Sequence, residues 1–215
     1  MKYKIAIFDL DGTILNTLDD LADSLNVVLQ EFKMPLHTNE QVRFMVGNGI
    51  PKLIERAVPE GTSNPKYTQV LNKYIEYYEK HCSKKTAPYD GILEILTQMK
   101  SYGMKLAVNT NKVAQAAEEL CIHYFPSVFD YVCGSCPQIP VKPAPDGVNK
   151  ILHHFNLKKE DAVYIGDSDV DIQTGKNAGI DVISAAWGFR GKEFLLQNGA
   201  EKIVQNAQEL LEMIL

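Results

Sequence analysis

Long hydrophobic runs are missing from this sequence: no window approaches the roughly 20 consecutive apolar residues that a membrane-spanning helix needs. Cysteine is scarce, with 4 in 215 residues, which excludes the disulfide framework of a small secreted domain. Basic charge is not in excess. Lys and Arg total 22 against 27 Asp and Glu, a net charge of −5, which argues against a nucleic-acid or membrane-surface binder with a broad basic face. The opening Met1-Lys2-Tyr3-Lys4 leads into a short apolar run ending at Asp9, without the longer apolar stretch and small-residue cleavage site of a signal peptide. These features predict a cytoplasmic protein. Internal repeats and low-complexity tracts are lacking too. What is present is ordinary globular composition, 45% hydrophobic and 23% charged. The length suits one α/β domain with a small second one.

Apolar runs of strand length alternate with segments of helical period, the pattern of a parallel sheet flanked by helices. The strand candidates are Lys4–Phe8, Met104–Asn109, Asp130–Cys133, Ala162–Ile165 and Asp181–Ala185. They do not alternate cleanly, as expected for strands buried on both faces. The interval between the first and second strands is far longer than one crossover helix needs and reads as helical throughout. Leu18, Leu21, Ala22, Leu25, Val28, Leu29 and Phe32 recur at three- and four-residue steps. Thr38 and Gln41 can form a capping box. Asn64-Pro65 predicts an N-cap and first helical position for a helix running to about His81. A later helix is expected from Asp90 to near Gly103. The predicted fold is therefore α/β, a doubly wound, mainly parallel sheet formed by residues 1–15 and 85–215. A small all-α cap domain, residues 16–84, is inserted after the first strand.

Ligands of such a sheet sit beyond the carboxyl ends of its strands. The first strand ends in Asp9 and Asp11, the second in Asn109-Thr110-Asn111. The third leads, across a short loop, to Val141-Lys142-Pro143, and the fourth to Gly166-Asp167-Ser168-Asp169-Val170-Asp171. Carboxylates are hard oxygen ligands suited to Mg²⁺, which takes one or two of them with waters and phosphate oxygens. Without a cation they would raise one another's pKa. Lys142 relieves part of that repulsion and can bind a phosphoryl oxygen, while Thr110 offers a hydroxyl donor. Gly12 lets the backbone approach a phosphate closely. Asp167 and Asp171 share a face if a helix starts there.

Each feature has an ordinary explanation. An Asp-x-Asp-Gly run suits a turn; Asp167 can be a helix N-cap and Asp169 or Asp171 a first-turn acid. Thr110 can cap a helix beginning near Lys112, and Lys142 can be a solvated loop lysine. Their ordered recurrence, each at the end of its own strand, is what coincidence does not supply.

The runs Asp9-Leu10-Asp11-Gly12-Thr13, Asn109-Thr110-Asn111-Lys112, Val141-Lys142-Pro143-Ala144-Pro145-Asp146 and Gly166-Asp167-Ser168-Asp169-Val170-Asp171 resemble the four motifs of the haloacid dehalogenase superfamily. The helical insertion, Tyr89-Asp90-Gly91 and Trp187-Gly188-Phe189-Arg190 resemble its phosphoglycolate phosphatase-like branch. The resemblance spans essentially the whole chain and is least specific in the cap. It implies a haloacid dehalogenase-like Rossmannoid core and a phosphatase of a small-molecule phosphate monoester. Asp9 would be the nucleophile forming an aspartyl phosphate, and Asp11 the acid and then the base. Thr110 and Lys142 would complete the catalytic set. Mg²⁺ would be held by Asp9, the backbone carbonyl of Asp11 and Asp167, with Asp171 behind them orienting a bound water or Lys142. Gly12, Thr110, Asn111 and Lys142 are expected at the phosphate, and Arg43, Asn48 and Lys52 are the cap residues expected to meet the substrate. Phosphoglycolate leads as substrate; pyrophosphate, nucleoside monophosphates and sugar phosphates are alternatives. A monomer or homodimer is expected, with no nucleic-acid or membrane partner.

Two rival functions use similar residues. A phospho-receiver domain groups acids, Thr and Lys on a doubly wound sheet, but lacks a large insertion and carries an Asp after its third strand, where this chain has Cys133-Gly134-Ser135. A sugar phosphomutase of the same superfamily would need a cap able to hold a second phosphate, commonly by an Arg in the loop matching Gly47-Asn48-Gly49-Ile50-Pro51; this loop has none. Cys133-Gly134-Ser135-Cys136 reads best as a strand end with free thiols, against a redox pair or a zinc site with Cys121 and His123. His153 and His154 read as helix-surface residues, and Tyr74, Tyr77, Tyr78 and His81 as a packing stripe.

Overall fold

A computed structural model describes residues 2–215. These fall into two compact units, one running to Leu15 and resuming at Pro88–Leu215, the other Asn16–Ala87. The chain begins with β1 (Ile5–Phe8), every residue of it buried, and leaves the first unit through β2 (Leu15–Asn16).

The second unit is helical. α1 (Leu18–Glu31) buries Leu21, Ala22, Leu25, Val28 and Leu29, the three- and four-residue spacing of one apolar stripe. α2 (Asn39–Met45) starts on the expected capping box: the Thr38 hydroxyl accepts the Gln41 N–H, and the Gln41 side chain accepts the Thr38 N–H at 2.9 Å. α3 (Ile50–Ala57) follows Gly49, and α4 (Tyr67–Glu79) starts at Tyr67 instead of at Pro65. The Asn64 side chain does not cap α4 directly; it accepts the Lys66 N–H, so Asn64-Pro65 forms a turn leading into the helix. Tyr74 and Tyr78 are buried and stacked, with ring centroids 5.5 Å apart.

The first unit resumes at β3 (Ala87–Pro88), α5 (Ile92–Ser101), β4 (Lys105–Val113), α6 (Ala114–Tyr124) and β5 (Tyr131–Ser135). It continues through α7 (Asp146–Phe155), β6 (Ala162–Gly166), α8 (Asp169–Ala178), β7 (Asp181–Ala185), α9 (Lys192–Gln197), β8 (Ile203–Val204) and α10 (Ala207–Ile214). Six strands form one sheet in the order β5-β4-β1-β6-β7-β8, every pair parallel. Phe8, Val108, Ile165 and Ile183 pack on one face with residues of α5, α6 and α10. Ile5, Ile7, Ala107 and Tyr164 pack on the other with Val148, Ile151 and Leu152 of α7 and Ala178 of α8. Burial on both faces is why these strands read as continuous apolar runs. The doubly wound α/β fold is as the sequence implies, with additions. β2, β3 and β8 have two residues each, too short for any period to reveal.

Candidate active site

β1 and β6 lie side by side at the centre of the sheet, so the turns after them deliver Asp9 and Asp167 to one spot. The Asp9 N–H donates to the Ile165 carbonyl at 2.8 Å, extending the ladder up to the acid itself. The next turn is shaped by Gly12, whose φ of +87° disfavours any side chain. A Cβ there would also stand 2.5 Å from Asp167 Oδ2, so glycine lets the two loops touch. Asp167 is then fixed from two sides: the Thr13 hydroxyl donates to Oδ1 at 3.1 Å and the Phe189 N–H to Oδ2 at 2.6 Å. The Trp187 indole N–H donates to the Thr13 carbonyl at 2.9 Å, tying the loop after β7 to the turn after β1.

Lys142 is the centre of charge. Its side chain is 4% exposed and its Nζ lies 2.7 Å from both Asp9 Oδ1 and Asp171 Oδ1. Asp171 Oδ2 accepts the Ser168 N–H at 3.1 Å and the Ser168 hydroxyl at 2.6 Å. Both its oxygens are thus engaged, Oδ1 by Lys142 and Oδ2 by Ser168. Asn111 grips the same residue from the other side, its amide accepting the Lys142 N–H at 2.7 Å and donating to the Lys142 carbonyl at 3.1 Å. The peptide bond between Lys142 and Pro143 is cis. The Thr110 oxygen accepts the Lys112 N–H at 3.2 Å, leaving its O–H to donate elsewhere.

Three buried carboxylates, Asp9, Asp167 and Asp171, offer oxygens that all lie within 4.8 Å of one another. Burial pushes Asp9 up to about 7, with Asp171 and Asp11 adding to the shift and Lys142 opposing it. Burial, Asp171 and Asp9 also hold Asp167 well above the usual carboxylate range. Burial alone would lower Lys142, but Asp171 and Asp9 outweigh it and keep the ammonium charged. Among the described residues, Lys142 is the one ammonium in contact with these acids, and Arg190 is a further cation that favours the ionised form of Asp167. Buried carboxylates outnumbering the contacting ammonium fit a hard divalent cation.

The structure thus brings Asp9, Asp11, Gly12, Thr110, Asn111, Lys142, Asp167 and Asp171 to one rim. It changes two details and adds a third. Asp167 and Asp171 do not share a helix face, because α8 begins at Asp169 with Ser168 as its N-cap and Asp171 completing a capping box. Thr110 does not cap a helix at Lys112; β4 continues to Val113. Asn111, expected at the phosphate, also grips the Lys142 backbone, its amide bonding both the N–H and the carbonyl of that residue. Sequence reasoning also missed Lys112, Ser168 and Tyr164, whose hydroxyl donates to the Asn109 carbonyl at 3.0 Å. Lys112 sits inside a quoted motif; Ser168 could have been found as the N-cap in Ser-x-x-Asp. Tyr164 gives no signal beyond a polar atom in a buried strand.

In the helical unit, Arg43 pairs with Glu40 at 2.8 Å and Lys52 with Glu55 at 2.6 Å. Asn48 accepts from Arg56 at 2.8 Å, and Arg56 also donates to the Met45 carbonyl at 2.6 Å. An arginine therefore reaches the Gly47–Pro51 loop from the following helix, although none lies within it. All four cysteines are free. Among the described residues, the three acids form the one side-chain group arranged to hold a metal, and no Cys–His set does so.

Residues 6–185 match the haloacid dehalogenase-like hydrolase family. The chain belongs to that family. The phosphoglycolate phosphatase of Aquifex aeolicus is 31% identical over 191 residues, 86% of each chain. The pyrophosphatase PpaX of Halalkalibacterium halodurans is 25% identical over 100% of this chain and 98% of its own. A solved structure of a candidate phosphoglycolate phosphatase from Lactobacillus delbrueckii subsp. bulgaricus superposes with a TM-score of 0.96 at 36% identity, covering 100% of this chain and 99% of that one. This haloacid dehalogenase-like hydrolase is an enzyme of the phosphatase type, in the phosphoglycolate phosphatase-like branch. Among its described residues no helix is long and apolar enough to cross a membrane.

Proposed function

We propose that this enzyme is a Mg²⁺-dependent phosphatase that hydrolyses a small phosphate monoester through a phosphoryl group carried on Asp9. The observation that carries the proposal is the Lys142 ammonium held between Asp9 and Asp171 at 2.7 Å beside Asp167, a buried site with three carboxylates and one contacting ammonium, short of positive charge once its acids ionise. Mg²⁺ bound by the Asp9 and Asp167 carboxylates and the Asp11 backbone carbonyl would supply that charge and neutralise phosphoryl oxygens.

The protein's own groups supply the rest. An Asp9 oxygen forms a bond to phosphorus as the ester P–O bond breaks, and Asp11 gives its proton to the departing alkoxide. Asp11, now a carboxylate, takes a proton from water as that water's oxygen bonds to phosphorus and the Asp9–phosphorus bond breaks. Lys142 and the Thr110 hydroxyl bind phosphoryl oxygens throughout, since phosphoryl transfer depends chiefly on positioning and charge. Asp171 and Asn111 hold Lys142 in place. Gly12 keeps the loop close enough for backbone N–H groups to face the phosphate.

The helical unit, residues 16–84 in the sequence and Asn16–Ala87 by compactness, is proposed as a cap that excludes water and selects the leaving group. Arg43, Asn48 and Lys52 remain its candidate substrate contacts, joined by Arg56. Phosphoglycolate is the leading substrate because relatives bear that name, with pyrophosphate second. The mutase alternative draws support from Arg56 at the Asn48 loop. The four free thiols fit the proposed cytoplasmic location. A phosphate-release screen over phosphoglycolate, pyrophosphate, nucleoside monophosphates and sugar phosphates, with and without Mg²⁺, tests the reading. It expects a peaked profile that vanishes with chelator. A metal-independent profile contradicts it, and phosphoryl return to a sugar in preference to water favours the mutase.

A further inference from the structure

Lys112 has no part in the scheme above, yet it is one of the most deeply buried cations in the molecule. Its side chain is 4% exposed, and its Nζ lies 2.9 Å from one Asp11 oxygen and 3.3 Å from the other. Both residues belong to the sheet-containing unit, and 101 positions separate them.

The backbone around Lys112 is shaped to deliver it. Along a regular strand successive side chains alternate between faces. Here Asn109 pairs with Cys133 and Val113 with Ser135, so four steps on β4 match two on β5. This bulge lets consecutive residues serve the same rim, a common use of bulges beside active sites. Thr110 presents its hydroxyl, Asn111 grips Lys142, and Lys112 reaches Asp11. The extra length has to go somewhere, and Gly134 makes the room. A Cβ at Gly134 would stand 2.4 Å from Ala114 Cα, 2.8 Å from Ala114 N and 3.0 Å from the Lys112 carbonyl oxygen. The Cys133-Gly134-Ser135-Cys136 run thus matters for its glycine, which accommodates the backbone carrying Lys112.

A buried ion pair is a poor stability device, because desolvation cancels much of its attraction. The Asp11 side chain is 22% exposed, and the Lys112 ammonium contacts both of its oxygens. Proton transfer requires hydrogen-bond reach to the receiving oxygen, and a misplacement of about 1 Å can cost about 10²-fold in rate.

We propose that Lys112 is the positioning residue for Asp11, holding its carboxyl where the leaving oxygen departs. This rests on the assignment of Asp11 as proton donor. Its signature is a dependence on the leaving group. An alkyl phosphate needs a proton on departure, whereas an aryl phosphate with an acidic phenol leaves without one.

The test compares kcat/KM, which reports steps through leaving-group departure, for an alkyl phosphate and p-nitrophenyl phosphate in Mg²⁺-loaded enzyme. The variants are Asp11→Asn, Lys112→Met, Lys112→Arg and the Asp11→Asn/Lys112→Met double. Asp11→Asn should lose about 10²–10⁴-fold on the alkyl ester and far less on the aryl one. Lys112→Met should show the same split at about 10–10²-fold, with Lys112→Arg restoring part of it. The double variant should be no worse than Asp11→Asn alone. If Asp11→Asn shows the split but Lys112→Met lowers both esters equally, or neither, the proposal for Lys112 is overturned while Asp11 stands. If Asp11→Asn itself shows no split, the assignment of Asp11 fails, and with it the role given to Lys112.

Discussion

The helical unit and the active-site rim use charge in opposite ways. In the helical unit the ion pairs are open to water, and three of them are local: Arg43 with Glu40, Lys52 with Glu55 and Lys80 with Glu76 lie three or four residues apart, while Lys73 with Glu31 and Lys85 with Asp23 join more distant positions. At the rim of the sheet-containing unit the pairs are buried and join distant parts of the sequence, Lys142 with Asp9 and Asp171, and Lys112 with Asp11, whereas pairs elsewhere on that unit, such as Lys2 with Asp181 and Lys158 with Glu160, are exposed. Exposed pairs of the first kind contribute about 0–1 kcal/mol and release their partners readily. Buried pairs cost desolvation and lock geometry, and they are tolerated where geometry has a use. The rim is built to hold one arrangement, while the exposed pairs of the helical unit constrain their surroundings little.

That contrast can be broken most severely at Asp9. Asp9→Asn should reduce phosphate release by at least about 10³-fold while far-UV circular dichroism stays unchanged, because the amide retains the shape and removes a buried charge. Substantial remaining turnover would end the nucleophile assignment. Next in size is Lys142→Met, which leaves Asp9 and Asp171 facing each other without a cation. Denaturant unfolding should show a loss of about 3–5 kcal/mol, and activity should fall with it; an unchanged midpoint would mean that the ion pair does not organise the site.

A third effect concerns pH and metal. Asp9 moves from 3.8 to about 7 in the folded protein through burial, so between those values the folded state holds protons that the unfolded chain has released. Stability of the metal-free protein should therefore decline as pH rises through that window. Mg²⁺ should raise Tm more at about pH 8 than at about pH 5, as followed by thermal melts with and without chelator. An equal gain at both would separate the metal from these carboxylates. The smallest effects belong to the other unit. Arg43→Ala and Lys52→Ala should change stability by no more than about 0.5 kcal/mol and alter the ranking of substrates, leaving phosphoryl transfer to a simple aryl phosphate unaffected. A loss of activity equal across all substrates would erase the distinction between the units.

The same contrast explains what could be read from sequence. Asp9, Thr110, Lys142 and Asp167 were legible because a parallel sheet places strand ends on one rim, so order along the chain substitutes for distance. α1 was legible from its apolar stripe and α2 from Thr38 and Gln41. The start of α4 was misplaced because Asn64 and Pro65 favour a turn as strongly as a helix start. Lys112 stood inside a quoted motif yet was given no role, since nothing in the sequence shows that β4 shifts register against β5 between Asn109 and Val113 or that the Lys112 ammonium reaches Asp11. Arg56 was missed because the search was confined to the loop, whereas the residue that reaches Asn48 lies on the next helix. Side-chain direction across a bulge, or from one element to another, has no periodic signature.

The central claim is that Asp9 takes the phosphoryl group itself. It is tested most directly by acid-quenching the enzyme during turnover with phosphoglycolate and Mg²⁺ and mapping phosphorylated peptides by mass spectrometry. The account predicts a transient phosphoryl adduct on the peptide containing Asp9, absent in Asp9→Asn and released on further incubation. Turnover by the wild-type enzyme with an adduct on another residue would contradict it.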